Sequence, residues 1–322
     1  PMMTLSFMAD ATIGGGSLIS FRITNLIIQA LIGFFLFRLF LQLEYNRVLS
    51  LLISIATVVN PFMLHAFLWL PARGDLLLVL FGLLSIISFI RFSESRLPIF
   101  FGLNMLFYAL ALLTNESAVF LPIVFIVYLL IYKRRQLFVV EDITLYMIWA
   151  AITVTWLFFK ASAEEVLKAE QASIHSIWHN LEGIPFIIGK MAFPVGYSTF
   201  QSFDGVSYAI GLVLIVLLII RVVTKKSKEW NRLIFTFCLA LITSMAFLDS
   251  GNGYYSFGYD IVNSRAYLFA IGFIVFSVEL IPSRMKETGR IFPIALALAS
   301  IVYFSIFSIS TYGAYKNADT FF

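Results

Sequence analysis

Residues 48–92 read VLSLLISIATVVNPFMLHAFLWLPARGDLLLVLFGLLSIISFIRF. Two apolar runs, Val48–Leu70 and Leu76–Phe92, flank the turn Pro71-Ala72-Arg73-Gly74-Asp75. About 20 apolar residues in a helix cross roughly 30 Å of hydrocarbon. The stretch therefore reads as two membrane spans joined by a turn that carries an arginine and an aspartate. Charges at the edge of hydrocarbon are costly and usually have a partner or a task.

The rest of the chain has the same character. It is 61% hydrophobic and 12% charged, with mean hydropathy +0.94 over 322 residues. A soluble chain of that length could not hide so much apolar surface, so the expected class is an all-α polytopic membrane protein. The single cysteine, Cys238, lies in an apolar run, which excludes a disulfide framework or a thiolate metal site. No Walker loop, Rossmann glycine fingerprint or Gly-x-Ser-x-Gly elbow is present. With Pro1 first and no signal peptide ahead of the first span, the chain is expected to be a piece of a larger protein.

Hydropathy predicts ten spans, at 19–41, 48–70, 76–92, 97–114, 118–132, 143–160, 207–223, 232–249, 265–282 and 291–312. With that count, five basic clusters fall on one face: Arg38/Arg47, Arg91/Arg96, Lys133-Arg134-Arg135, Lys225-Lys226/Lys228/Arg232 and Arg284/Lys286/Arg290. Positive charge marks the cytoplasmic side, and anionic lipid accounts for these clusters without nucleic acid. The apolar stretch 183–200 is not counted, because an extra span would put Lys225-Lys226 outside. Residues 161–206 then form one extracytoplasmic segment. Its first part, Ala161–Leu181, has the periodicity of an interfacial amphipathic helix.

The opposite face collects Asp10, Arg22, Arg73, Asp75, Glu116, Lys190, Asp204, Asp249, Asp260, Arg265 and Asp319. Asn60-Pro61 and His65 interrupt the second span. The proline should kink the helix and free carbonyls that need donors, and His65 then either packs or faces a cavity. Arg73 and Asp75 read equally as a snorkelling arginine with a helix-capping aspartate or as a guanidinium fork for a phosphate, oriented by the carboxylate. Asn115-Glu116-Ser117 fits the glycosylation pattern but is squeezed between spans. Glu116 reads first as a helix-start charge and second as an acid/base carboxylate. The loops Phe193–Asp204 and Gly251–Asp260 are rich in Gly and Tyr, as interfacial belts and sugar-binding loops both are. His175 and His179 have an i,i+4 spacing that can hold zinc, but no third ligand is apparent and no metal site is expected.

Several ordered blocks carry a resemblance: Thr4–Asp10, Phe21-Arg22-Ile23-Thr24-Asn25-Leu26, Asn60-Pro61…Trp69…Arg73-Gly74-Asp75-Leu76-Leu77 and Leu113-Thr114-Asn115-Glu116-Ser117. With Phe193-Pro194, Ser264-Arg265-Ala266-Tyr267-Leu268 and Lys316-Asn317-Ala318-Asp319, they resemble the GT-C superfamily of integral-membrane glycosyltransferases. The nearest members are the protein O-mannosyltransferase-like proteins, including the transmembrane-and-tetratricopeptide O-mannosyltransferases and their bacterial relatives. The resemblance implies an enzyme that moves a hexose, with inversion, from a polyprenyl- or dolichyl-phosphate donor to a protein or glycan acceptor on the extracytoplasmic or lumenal face. It makes Arg73 and Arg265 candidates for holding the donor phosphate, with Asp75, His65 and Lys190 as further donor-binding candidates. The family's usual catalytic carboxylate lies earlier in the first extracytoplasmic loop and has no match here, so Asp10 and Glu116 are the carboxylates this chain offers in its place. Arg73→Ala is then expected to lower donor binding and leave topology intact. No cofactor beyond the lipid-linked sugar is implied, although a divalent cation is compatible.

Residues 1–18 correspond in this reading to the end of a first extracytoplasmic loop, 19–160 to six membrane helices and 207–312 to four more. Residues 313–322 begin a C-terminal extracytoplasmic region. The expected location is a bacterial cytoplasmic membrane, or the endoplasmic reticulum membrane of a eukaryote. Departures from the family pattern (His65, Asn60 and Asn115 where relatives often carry acidic, His and Lys residues) leave two further readings. One is a GT-C-like protein that binds lipid-linked sugar or partners another transferase, and the other is a transporter or flippase.

Overall fold

The computed structural model describes residues 1–132, 140–167, 184–193, 200–201, 204–224, 261–262, 271 and 291–311. These are almost entirely helical. In chain order the helices are α1 (Met2–Gly14), α2 (Leu18–Gln42), α3 (Arg47–Val58), α4 (Pro61–Leu68), α5 (Arg73–Ser95), α6 (Pro98–Leu112), α7 (Leu121–Tyr132), α8 (Val140–Leu167), α9 (184–192), α10 (Gly205–Thr224) and α11 (Ile291–Thr311). Apart from a two-residue antiparallel ladder, β1 (Phe200–Gln201) with β2 (Ile261–Val262), the described residues have the expected all-α class. Among the described residues, three helical segments are long and apolar enough to cross a bilayer: Leu18–Gln42, Leu70–Ser95 and Ile143–Ser162. The protein is accordingly a helical membrane protein. The expected span 232–249 lies outside the described residues, as do all of 265–282 but Ile271, most of Ala161–Leu181, the loop Gly251–Asp260, His175, His179 and Arg265.

Local signals in the chain set most helix ends. Gly15 and Gly16 take positive φ (58° and 77°) between α1 and α2, a conformation costly for any residue with a Cβ. Ser17 caps α2 by accepting from the Ile19 amide, and Asn46 caps α3 by accepting from the Leu49 amide at 2.7 Å. Pro98 occupies the first turn of α6, where its missing N–H costs nothing. Helix α5 is apolar all round and buried on nearly every flank, against α2, α6, α4 and α7, as such a pattern requires. A polar knot pins its middle. Asn104 on α6 donates to the Ser85 carbonyl and hydroxyl on α5, both at 3.0 Å, and accepts from Trp149 Nε1 on α8 at 2.9 Å.

The expected span 48–70 is not one helix. It divides at Asn60-Pro61 into α3 and α4. A continuous helix would pair the Val58 carbonyl with the amide four residues on, and the turn prevents this. Side chains from other helices supply the donors instead: Gln29 Nε2 reaches the Val58 oxygen at 3.1 Å and Ser308 Oγ the Val59 oxygen at 3.0 Å. The need for donors was legible at the proline, but their source, α2 and the distant α11, was not.

Helix α9 is described over residues 184–192. It packs backbone to backbone on α10. A Cβ on Gly189 would lie 1.8 Å from the Ser207 carbonyl oxygen, and one on Gly211 1.7 Å from that of Pro185. Small residues allow helices this close. Gly189→Ala and Gly211→Ala should each force the pair apart and cost about 1–3 kcal/mol, read as a lower melting temperature in detergent; an unchanged value would refute the close crossing.

Candidate functional site at the start of α5

Arg73 is the first residue of α5, and its side chain is fully buried. Its Nε donates to Asn25 Oδ1 at 2.7 Å, Nη1 to Asp10 Oδ2 at 2.5 Å and Ser6 Oγ at 2.9 Å, and Nη2 to the Phe21 carbonyl at 2.7 Å. The rings of Phe7 and Phe21 lie 4.3 and 5.7 Å from the guanidinium carbon, close enough for cation–π attraction. Asp10 also accepts from Thr24 Oγ1 at 2.6 Å. The guanidinium is thus enclosed by α1 and α2, and its fork is engaged by groups of the protein itself. A charge so placed tolerates burial only because the carboxylate and the hydrogen bonds replace water. Asp10 serves the same enclosure, with its side chain 9% exposed.

Asp75 sits in the first turn of α5, where a carboxylate suits the helix dipole. It does not cap the helix, because α5 begins two residues earlier and Ala72 holds the cap position. Asp75 accepts instead from Asn115 Nδ2 at 3.3 Å, while Asn115 Oδ1 accepts from the Ser117 amide at 3.0 Å. Both ends of the Asn115 amide are engaged, including the nitrogen a glycan would need. Asn115, rather than Glu116, caps the short 3₁₀ turn Glu116–Phe120. Glu116 pairs with Lys160 near the end of α8, each side chain 35% exposed, and Lys160 also lies 5.5 Å from the Trp156 ring. A carboxylate and an ammonium therefore stand at the surface beside Asp75 and Asn115, one layer out from the enclosed Arg73–Asp10 pair.

Lys190 is elsewhere. It is 3% exposed and pairs with Asp204 at 2.6 Å, beside the Phe186 ring. Asp204 caps α10, accepting from the Ser207 amide at 2.7 Å and its hydroxyl at 2.8 Å. Burial raises the Asp204 pKa, but the bonds from Lys190 and Ser207 outweigh it and hold the carboxyl below its usual value. A depressed folded value means the stabilisation is complete above the unfolded value, about 3.9, and is lost as pH falls below it. Melting temperature should therefore drop more steeply below about pH 4 in the native protein than in Asp204→Asn; parallel acid limbs would refute this.

The structure thus brings Asp10, Arg73, Asp75 and Glu116 to one end of the bundle. His65 lies on α4, in the segment after the break. Arg265 falls outside the described residues. Lys160 was missed by sequence reading because it ends an apolar run and reads as a snorkelling lysine. Asn25 and Gln29 were legible only as polar residues one turn apart in a span. Among the described residues, no three His, Cys, Asp or Glu side chains come together as a metal site would need. Comparison with known protein families, with curated proteins and with solved structures finds no match.

Proposed function

We propose that this chain is the ten-span membrane core of a GT-C-like glycosyltransferase, transferring a sugar from a polyprenyl-phosphate donor to an acceptor on the extracytoplasmic face. The observation that carries the reading is the half-exposed Glu116–Lys160 pair at the α5 amino-terminal end. By the charge distribution that end faces away from the basic clusters. In this proposal Glu116 accepts the proton of the acceptor hydroxyl as its oxygen attacks the anomeric carbon. The bond from that carbon to the phosphate oxygen breaks with inversion, and Lys160 stabilises the charge left on the phosphate. Asp75 and Asn115 hold the Glu116 turn, and Arg73 with Asp10 anchors α1 and α2 beneath it.

A second reading, a binder of lipid-linked sugar without transfer, is favoured by the enclosure of Asp10 and Arg73, which removes two of the candidate reactive groups from the surface. Membranes carrying the full-length gene product, supplied with labelled polyprenyl-phosphate hexose, separate the two. Labelled acceptor is the expected result. Donor retention without transfer supports the binder, and absence of both overturns the proposal.

A further inference from the structure

A pocket of about 440 Å³ opens between α2, the α3–α4 break and α11, lined by Leu26, Gln29, Val58, Phe67, Ser305 and Ile309 among others. Its described wall is almost wholly apolar, with no charged side chain among the described lining residues. Gln29 and Ser308, two of its polar side chains, are turned onto the Val58 and Val59 carbonyls, so the wall suits hydrocarbon. Around it Leu26, Ile27, Ile306 and Ile309 are 57, 54, 65 and 75% exposed, an apolar surface that in a membrane protein faces lipid chains. The pocket shares no residue with the Glu116–Lys160 pair.

Among the described residues, α2 carries a cation one turn from this lining. Arg22 lies one helical turn before Leu26 on α2 and is exposed, and residues four apart on a helix share a face. A long helical side chain leans toward the amino terminus, here away from the pocket and toward the end of α2 nearest water. No ion pair joins Arg22 to a described residue. An apolar slot with a guanidinium one turn outward, unpaired among the described residues, complements a molecule with a hydrocarbon chain and an anionic head.

We propose that this pocket is a binding site for an anionic phospholipid of the surrounding bilayer. One acyl chain enters between α2 and α11, and the phosphate rests on Arg22. The lipid seals the interrupted span: it covers the two carbonyl–side-chain bonds at the break, which would otherwise face a void. The site is independent of sugar transfer.

The test uses the full chain in nanodiscs of phosphatidylcholine doped with spin-labelled phosphatidylglycerol or spin-labelled phosphatidylcholine, reading the motionally restricted fraction. Phosphatidylglycerol should be favoured about fivefold, the effect of one cation near a lipid headgroup. Arg22→Gln should remove that preference, Arg22→Lys should keep it, and Ser305→Phe, which fills the pocket, should lower the restricted fraction of both lipids. Equal restriction of the two lipids by the native protein overturns the proposal. So does an unchanged preference in Arg22→Gln, an unchanged restricted fraction in Ser305→Phe, or displacement of the labelled phospholipid by equimolar polyprenyl monophosphate.

Discussion

Arg73→Met is expected to remove most of the folded protein. The substitution deletes four hydrogen bonds and leaves Asp10, 9% exposed, facing a hole where its countercharge stood. Breaking a buried pair from one side costs about 3–5 kcal/mol, because the remaining charge stays out of water. Native stabilities are of the order of 5–15 kcal/mol, so this is a large share. The readouts are the yield of monodisperse protein and its melting temperature. Arg73→Lys should recover little, since an ammonium cannot reach Asp10, Asn25 and the Phe21 carbonyl from one fixed plane. The double variant Asp10→Asn/Arg73→Met should be less harmed than the sum of its parts, because the uncompensated charge is gone. A well-folded Arg73→Met that has lost only donor binding would support the phosphate-site reading.

Glu116→Gln should do the reverse, sparing the fold and removing activity. Loss of a general base lowers rates by about 10²–10⁴-fold. The Glu116–Lys160 pair is 35% exposed on each side, and ion pairs that solvent reaches contribute about 0–1 kcal/mol. The melting temperature should therefore stay near that of the native protein while transfer from the labelled lipid-phosphate sugar collapses. Lys160→Met should show the same split. A variant that melts early but keeps its activity per folded molecule would assign the pair to structure alone and remove the basis for the proposed chemistry.

Together these variants separate two layers of charge at one end of the bundle. The inner layer, Asp10 and Arg73, is closed by Asn25, Ser6 and two phenylalanine rings. The outer layer, Asp75, Asn115, Glu116 and Lys160, keeps contact with solvent. From the sequence all of these look alike, as polar residues near the ends of apolar runs. Residue type and spacing place Arg73 and Glu116 at the edge of hydrocarbon; they do not say which one α1 covers.

The same division runs through the helices. Apolar runs long enough to cross a bilayer are visible one residue at a time, and α2, α5 and α8 lie where hydropathy puts them. Asn60-Pro61 announces a break, because a proline removes a donor wherever it stands. The donors at that break come from Gln29 and from Ser308, the latter 249 positions away, and no local pattern encodes such a partner. Gly189 and Gly211 look like ordinary small residues until the α9–α10 crossing shows that neither has space for a Cβ.

The sequence by itself determined that this is a helical membrane protein, roughly where its longest apolar helices run, and which residues carry its charges. Burial in hydrocarbon and, away from the break at Asn60-Pro61, backbone hydrogen bonding are local constraints, satisfied within a turn or a span. Only the tertiary structure decided what the arginine in Pro71-Ala72-Arg73-Gly74-Asp75 does. Whether a charge faces a ligand or a carboxylate depends on side chains from distant helices, and here Asp10 and Asn25 enclose Arg73 while Glu116 and Lys160 remain at the surface.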